Sequence, residues 1–310
     1  MNDHVTISLY KILKKFPDNE TARKFLEQKR WGDTPTCPYC SCTHSVARTG
    51  KKLGFYRCNH CRKEYSVRTN SIFANSKVGL DKWLIAMYMM VTARKGISSM
   101  QLSKELDITQ KTAWFLCHRI RSAMGCGKYQ GLLDGIVEMD ETYVGGKEAN
   151  KHNSKKLNAG RGSVGKTPVV GIVERGGRVR SFVTADTTQL TLQGLVALNV
   201  QKGAVVNTDE FRGYGDLSEK GYVHNRVNHS AKLYVDGKAY TNGIESVWSL
   251  VKRGFYGTFH KFTLEHLQRY VDEFDFRWNE GNCKVPTDER IDSLVCGCWG
   301  KSLDYKTLVA

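Results

Sequence analysis

The sequence predicts an α/β protein with more than one domain, because three observations divide it into unlike halves. The chain has 310 residues, which is enough for about two domains with cores of their own. Two paired cysteine motifs and a pair of helical patterns occupy the first half. From residue 136 onward, short apolar strands alternate with helical patterns.

Basic residues are concentrated in the first half of the chain. The net charge is +16, and residues 1–128 carry 23 Lys and Arg against 9 Asp and Glu. Residues 129–310 carry 24 against 22, so that half is nearly neutral. A surplus of this size indicates a polyanionic partner, most simply nucleic acid.

The sequence also predicts a cytoplasmic protein without a membrane partner. No apolar run approaches the ~18 residues needed to span a bilayer. Residues 1–5 lack the basic region and the apolar core of a signal peptide. Ten cysteines without a secretion signal indicate a reducing compartment, in which thiols stay free or bind metal.

Two short helical patterns occupy the N-terminal segment, residues 1–35. The second pattern begins at Asp18 or Asn19 and places Phe25 and Leu26 on its apolar face. No function follows from these helices.

A zinc ribbon is predicted over residues 36–70. The spacing C-x2-C-x17-C-x2-C is that of a four-thiolate zinc site, in which two tight knuckles aim their sulfur atoms at one point. Strands are expected at 52–57 and 63–67, and a closed tetrahedral site of this kind is structural. Cys42 and His60 are rival ligands that break the symmetric pattern. The predicted zinc ligands are Cys37, Cys40, Cys58 and Cys61.

A helix-turn-helix is predicted within residues 78–125, after an apolar helix that spans about residues 80–93. Ser98 and Gln101 form a capping box before a short helix, and a second helix spans about residues 110–124. The alternative is a plain helical hairpin. In a helix-turn-helix the start of the second helix enters the major groove. The predicted DNA contacts are therefore Lys111 and Thr112 near the bases, with Arg119 and Arg121 near phosphates.

Three separated carboxylates stand out in the second half. Residues 136–146 are predicted to form a buried strand that carries Asp140, and Asp209 ends another apolar strand. Glu245 lies near the start of an amphipathic helix. The alternatives are that Asp140 is a core residue whose carboxylate is fully hydrogen-bonded, and that Glu245 caps its helix. Three such acids can hold two Mg²⁺ ions, which prefer oxygen ligands and promote in-line phosphodiester displacement.

Residues 160–167 fit the phosphate-binding motif G-x-x-x-x-G-K-[ST]. That loop requires a buried strand before it and a helix after it. Here a polar, basic segment precedes the motif and a strand over residues 169–173 follows it, so no nucleotide cofactor is predicted. Residues 147–166 are interpreted instead as a basic loop that could lie along DNA.

Several segments together resemble a known family. A strand Asp, a strand-end Asp and a helical Glu with a Lys seven residues later are similar to the pattern of DDE transposases from bacterial insertion sequences. The subgroup that it resembles carries an N-terminal zinc ribbon. The resemblance extends from about residue 10 to 280 and rests on residues 140–146, 208–214, 228–230 and 242–254.

This resemblance implies an RNase H-like catalytic domain over residues 134–282, built as a mixed sheet flanked by helices and followed by a C-terminal tail, residues 283–310. It implies binding of element ends and target DNA, cleavage, strand transfer and self-association in a synaptic complex in the bacterial cytoplasm, at the nucleoid. By this resemblance Asp140, Asp209 and Glu245 hold catalytic Mg²⁺ or Mn²⁺, while Lys252 and Arg253 contact DNA.

Two other classes of function remain as alternatives. A DNA-binding regulator would use the ribbon and the helix pair, with the second domain only as a scaffold. A stand-alone metal-dependent nuclease would hydrolyse DNA without joining strands. Glu141 and Glu210 are expected to face away from the neighbouring aspartates, because adjacent strand residues point to opposite faces.

Overall fold

The computed structural model describes residues 7–125, 131–146, 148–157, 163–227, 241–281 and 285–309. The chain forms two compact units, one of residues 1–128 with 280–310 and one of residues 129–279. The predicted C-terminal tail therefore belongs to the first unit. Among the described residues, no helix is long and apolar enough to cross a membrane.

The first unit begins with two helices, α1 (Leu9–Lys15) and α2 (Asn19–Trp31). The Asp18 carboxylate accepts the backbone N–H of Thr21 at 2.7 Å, which satisfies one of the donors left open at the start of α2. The predicted start of this helix is confirmed. Its Leu26 is fully buried.

The ribbon is a three-stranded antiparallel sheet of β1 (Ser45–Ala47), β2 (Phe55–Cys58) and β3 (Glu64–Ser66), in that order. The sequence predicted β2 and β3 but not the short β1. Tyr56 and Tyr65 stack across the sheet with ring centroids 5.6 Å apart, and this aromatic pair adds to a core too small to be stable by apolar burial alone.

Three helices follow the ribbon: α3 (Leu80–Thr92), α4 (Ser99–Glu105) and α5 (Gln110–Met124). Their spans confirm the helices predicted from the sequence. The Ser98 hydroxyl accepts the N–H of Gln101 at 3.1 Å, so the predicted N-cap of α4 is present.

The C-terminal segment contains α9 (Thr287–Cys296) and α10 (Tyr305–Val309), neither of which was predicted. An ion pair of 2.6 Å joins Lys29 of α2 to Asp292 of α9. One side of α9 packs in the core of the first unit through Ile291, Leu294 and Val295.

The second unit contains one mixed sheet of five strands: β4 (Ile136–Val144), β5 (Thr167–Glu174), β6 (Val179–Val183), β7 (Val205–Thr208) and β8 (Val223–Arg226). Their order in the sheet is β6-β5-β4-β7-β8. Strands β4, β5 and β6 pair antiparallel, whereas β7 and β8 run parallel to β4. The sheet confirms the predicted mixed architecture.

Helices cover both faces of this sheet: α6 (Gln189–Asn199) on one, α7 (Asn242–Gly254) and α8 (Leu264–Glu280) on the other. Alternate residues of β4 divide between the two layers, as the period of a strand requires. Val137 packs with the α6 layer and Val144 with the α7–α8 layer.

The chain does not leave the helical conformation after Gly254, the last residue of α7. It continues into a π-helical turn, Phe255–Phe259, in which His260 N donates to Phe255 O at 2.7 Å. The chain then leaves the helix at His260, whose φ is 59°. Phe255, the first residue of this turn, is buried in the core between the sheet and α7–α8.

Side chains of α8 protect β6, the strand at one edge of the sheet. They accept the backbone N–H groups that β6 would otherwise offer to another strand, which removes a site for edge-to-edge aggregation. The pairs are Val179 with Asn279 (2.8 Å), Ser181 with Asp275 (2.6 Å) and Val183 with Gln268 (2.8 Å).

Candidate functional site

The four predicted zinc ligands converge on one point of the ribbon. Their sulfur atoms all lie within 4.8 Å of one another, with Cys37–Cys61 and Cys40–Cys58 separations of 3.6 Å. Tetrahedral zinc with Zn–S bonds of about 2.3 Å has S–S edges of roughly 3.8 Å. The four sulfur atoms therefore fit a structural Zn²⁺ ion.

The rival ligands lie outside this group. The Cys42 sulfur accepts the backbone N–H of His44 at 3.4 Å, and the His60 side chain is exposed. The backbone N–H of Cys61 lowers the pKa of the Cys58 thiol, whereas burial raises the pKa of the Cys37 thiol, so the geometry of the four sulfur atoms and not their pKa values supports the metal site.

Sheet register brings two of the predicted carboxylates to one level. In the parallel β4–β7 pair, Glu138 lies opposite Asn207. Asp140 lies two residues further along β4, and Asp209 is the first residue after β7, so this register directs both towards the same end of the sheet.

Asp140 occupies a partly enclosed position against α7. Its Oδ2 accepts the indole N–H of Trp248 at 3.0 Å. Burial, the largest influence, raises the pKa of Asp140 to about 6, and the charges of Asp209 and Glu245 act in the same direction. Sequence analysis assigned no functional role to Trp248, whose indole orients this carboxylate.

Glu245 is exposed near the start of α7, on the side of the helix that faces Asp140. The N-cap is Thr241 and not Asn242, so Glu245 is the fourth residue of the helix and does not occupy the capping-box position. The Thr241 hydroxyl donates to the Glu245 carboxylate at 3.4 Å. The alternative role as a capping glutamate therefore loses its geometric basis.

Asp140 and Glu245 line one open cleft of about 710 Å³. Residues 245, 249, 252 and 256 follow helical spacing and line its α7 side. The cations Lys252 and Arg253 share this wall with the exposed Tyr256. The cleft therefore combines acids with groups that attract a polyanion.

The three carboxylates lie further apart than the four thiols. Within the ranges that the structure describes, the cysteines are the only group of three or more His, Cys, Asp or Glu side chains close enough to share one metal ion. Asp140 and Glu245 meet in the cleft, and Asp209 lies at the adjacent strand end without being part of the cleft lining.

Glu138 is a functional candidate that the sequence analysis missed. It lies two residues before Asp140, on the same face of β4, and is only 1% exposed. Its carboxylate accepts the N–H of Gly243 at 2.7 Å and contacts Arg175 at 3.2 Å. A second acid in the same apolar strand was the available signal.

Glu141 lies on the opposite face of β4 from Asp140, as its strand position predicts. The hydroxyl of the buried Tyr214 donates to its carboxylate at 2.6 Å. Burial raises the pKa of Glu141 to about 7 despite that hydrogen bond, and the charges of Asp209 and Asp140 add to the rise. Glu210 is exposed.

Lys111 and Thr112 lie at the start of α5, where base contacts were predicted. Lys111 is exposed, and its Nζ lies 4.5 Å from the ring centroid of Tyr305 in α10. Thr109 caps the helix by accepting the N–H of Thr112 at 3.2 Å. Both positions are compatible with DNA contact, which remains a prediction.

The structure corrects the phosphate contacts predicted for Arg119 and Arg121. Their side chains are only 3% and 2% exposed, so neither is available to DNA in this conformation. Arg119 donates to the carbonyl of Ala74, and its guanidinium stacks on Trp83 and Phe115. Helical periodicity could not separate a solvent-facing arginine from one buried among aromatic rings.

Two segments used in the sequence analysis fall wholly or partly outside the described residues. Residues 228–230 lie outside, as do residues 160–162 of the phosphate-loop motif. Thr167, the last residue of that motif, is the first residue of β5. A strand therefore follows the motif where a nucleotide-binding loop needs a helix.

Comparison with known families gives two matches, one within each unit. The model of an ISXO2-like transposase domain matches residues 132–279, and the model of a transposase zinc-ribbon domain matches residues 17–64. A protein of Halobacterium salinarum described as an uncharacterized protein in transposable element ISH50 is 32% identical over 253 residues. The alignment covers 78% of this chain and 84% of that protein.

Two solved structures of Mos1 complexes show weak similarity. The strand transfer complex has 14% identity and a TM-score of 0.29, with 71% of this chain and 79% of that chain covered. The pre-cleavage transpososome has 12% identity and a TM-score of 0.25, with 96% and 98% covered. TM-scores this low do not establish a shared fold.

Proposed function

This chain belongs to the family of ISXO2-like transposases with a zinc ribbon, and from that premise we propose that Asp140, Asp209 and Glu245 are its catalytic carboxylates. One observation carries the proposal. Asp140 and Glu245 face each other across a cleft that also contains Lys252, and sheet register places Asp209 beside Asp140.

The three side chains suit Mg²⁺ or Mn²⁺, because hard cations prefer carboxylate oxygen ligands. The raised pKa of Asp140 supports this fit, since a cation would offset the burial and the repulsion from Asp209 and Glu245. Bound ions would activate a water or a 3′-hydroxyl and stabilise the leaving oxygen in an in-line displacement.

The remaining groups of the cleft would hold and orient the substrate. Trp248 fixes Asp140 through the 3.0 Å hydrogen bond to its carboxylate. Lys252 and Arg253 are exposed, and each would contact a backbone phosphate of the DNA end. Arg253 is oriented by donation of its Nε–H to Ser249 O at 3.1 Å.

The first unit would recognise the element ends. It carries most of the net positive charge, and it presents the exposed start of α5 with Lys111 and Thr112. Because residues 280–310 pack in this unit, DNA binding is best measured on the full chain and not on a fragment that ends at residue 128.

Self-association is part of this proposal, because two element ends must be cut together. Mass photometry of the chain on end DNA would measure the stoichiometry directly. We expect complexes with at least two chains and two DNA ends. Cleavage by a complex with one chain would contradict this part of the proposal.

The experiment that tests the function places a marker between the flanking DNA of the gene and scores its movement in cells. Wild-type chain is compared with Asp140→Asn, Asp209→Asn and Glu245→Gln. We expect movement only with the wild type, while all variants still bind end DNA. If Glu245→Gln alone remains active, the third ligand lies elsewhere.

Two other results of this experiment would select the alternative functions. Tight, site-specific binding without movement of the marker would favour a DNA-binding regulator. Cleavage of the flanking DNA without joining of the cut strand would favour a nuclease.

A further inference from the structure

The buried carboxylate of Glu138 accepts two sets of hydrogen bonds inside the second unit. Its Oε2 accepts the backbone N–H groups of Gly243 and Ile244 at 2.7 and 3.2 Å. Its Oε1 accepts from Nε and Nη2 of Arg175, both at 3.2 Å. A carboxylate that is 1% exposed needs such partners, because desolvation of an unpaired charge is strongly unfavourable.

These contacts mean that a side chain of the sheet caps helix α7. The first N–H groups of a helix have no acceptor within the helix, and the helix dipole favours a negative charge there. The N-cap residue Thr241 makes no side-chain cap bond and donates its hydroxyl to Glu245 instead. Glu138 therefore supplies from β4 the acceptor that a local cap usually supplies.

Gly243 makes room for this arrangement. A Cβ atom at this position would lie 2.7 Å from Glu138 Oε2, closer than side-chain carbons approach an oxygen. Glycine is otherwise unfavourable inside a helix, because it loses more conformational freedom than alanine. The close approach of the carboxylate explains why this residue type stands in the first turn of α7.

The same contact links the two acids of the cleft. Glu138 and Asp140 lie on one face of β4, two residues and about 7 Å apart. Gly243 and Glu245 are two residues apart along α7, which is about 3 Å of helix rise. The hydrogen bonds from Glu138 therefore tie the first turn of α7, which carries Glu245, to the strand that carries Asp140.

We propose that Glu138 is a positioning residue, which sets the position of Glu245 relative to Asp140 by capping α7. Gly243 is required because it has no side chain that would collide with the capping carboxylate. The metal-related part of this inference rests on the function proposed above for the two acids. The capping itself does not depend on that function.

The first test measures hydrogen exchange at the start of α7 in the full chain, without added divalent metal. Glu138→Gln removes the negative charge that accepts the backbone N–H groups of residues 243 and 244. Gly243→Ala keeps the glutamate but pushes its carboxylate away from these N–H groups. We expect exchange at residues 243 and 244 to become about tenfold faster in both variants.

Gly194→Ala is the matched control, because a Cβ atom there would meet nothing within 4 Å in α6. Helix propensity alone predicts slower exchange and higher thermal stability for both glycine replacements. Slower or unchanged exchange at the start of α7 in Gly243→Ala would overturn the inference.

The second test measures the Mn²⁺ concentration that gives half-maximal cleavage of end DNA. We expect this concentration to rise about tenfold in Glu138→Gln and in Gly243→Ala, with no change in DNA affinity. The double variant should match the more affected single variant, because both substitutions break one contact. Multiplication of the two effects, or an unchanged metal requirement, would contradict the positioning role.

The two tests separate this inference from the proposed function. If the wild type cleaves with a metal requirement that depends on Asp140, the proposed function stands. Unchanged hydrogen exchange in Glu138→Gln and Gly243→Ala would then refute only the role of Glu138. If the wild type cleaves with no metal, the catalytic proposal fails, and the exchange result still decides whether Glu138 caps α7.

Discussion

The ribbon and the cleft are both predicted metal sites, but they are assembled in different ways. The four ribbon cysteines lie within residues 37–61, and their sulfur atoms come within 4.8 Å of one another. The three carboxylates of the second unit span residues 140–245 and lie on a strand, directly after a second strand, and on a helix. Their sequence separations give no indication of how closely they approach.

The difference shows which interactions each site depends on. Tight backbone knuckles place the cysteines, so local geometry is sufficient. The carboxylates depend on the β4–β7 register and on the packing of α7 against the sheet. That packing requires Gly171, opposite Asp140 on β5, because a Cβ there would lie 2.7 Å from Trp248 and from Ile244.

The largest effect is expected from loss of a ribbon cysteine. Cys58→Ser should reduce bound zinc from one ion per chain to nearly none, because structural zinc contributes about 10–16 kcal/mol to the folding of small zinc domains. Cys42→Ser is the matched control and should keep its zinc. Metal analysis of both purified chains checks this, and zinc loss from the control alone would refute the assignment.

Overpacking under α7 should disturb only the cleft. Gly171→Ala is expected to destabilise the second unit by about 1–3 kcal/mol, since the added methyl meets the Trp248 ring. Thermal unfolding and zinc content measure the two units separately, and the zinc content should not change. Gly146→Ala has open space at its Cβ and serves as the control. Equal destabilisation by both substitutions would contradict this account of the packing.

The free energy of unfolding should depend on pH because burial destabilises the ionised Asp140 carboxylate. The pKa of Asp140 is raised from 3.8 to about 6 in the folded chain, so the native state binds this proton more tightly than the unfolded state. The free energy of unfolding therefore falls as pH rises from about 4 to 6. Glu141 and the buried Asp275, whose pKa values burial raises to about 7, continue this decrease towards pH 7.

Replacement of the acid should remove part of this pH dependence. Asp140→Asn keeps an oxygen acceptor for Trp248 and is expected to stabilise the zinc-loaded chain, without added Mg²⁺ or Mn²⁺, by roughly 1–2 kcal/mol at pH 7. At pH 4 the gain should vanish. Unfolding curves at both pH values check this. An equal change in the free energy of unfolding at pH 4 and pH 7 would mean that burial does not destabilise the ionised Asp140 carboxylate.

The smallest effect is expected at the DNA-binding helix. Lys111→Ala should weaken binding of end DNA by about fivefold and reduce its salt dependence, because one phosphate or base contact is lost. Arg119→Met should lower the thermal stability of the first unit and leave the salt dependence unchanged, since this side chain is buried. A reduced salt dependence in Arg119→Met would show that the arginine reaches DNA.

Sequence patterns predicted most elements of both units, because hydrophobic period and caps are local signals. The zinc ligands, the strand that carries Asp140 and the strand that ends before Asp209 follow from the residues alone. The buried state of Arg119 did not follow, since it depends on a ring contributed by a distant segment, that of Trp83. The helices of the C-terminal segment were missed, although Ile291, Leu294 and Val295 of α9 fall at helical spacing and could have indicated it.

The roles of Glu138 and Trp248 were also beyond the reach of pattern reasoning. Each contacts a partner more than 100 residues away in sequence, Gly243 and Asp140 respectively. Glu138 resembles a surface acid by residue type, and Trp248 resembles an ordinary core residue at helical spacing. Only the crossing of α7 over β4 shows that both hold the acids of the cleft.

The central claim is that the carboxylates of the cleft perform the chemistry while the ribbon is structural. The most direct measurement is metal-dependent cleavage of end DNA by the wild type, Asp140→Asn, Asp209→Asn and Glu245→Gln, with zinc content and DNA affinity measured on the same preparations. We predict unchanged zinc, unchanged affinity and a loss of cleavage of roughly 10³-fold or more in each variant. Cleavage at the wild-type rate by Asp140→Asn or Asp209→Asn would contradict the account.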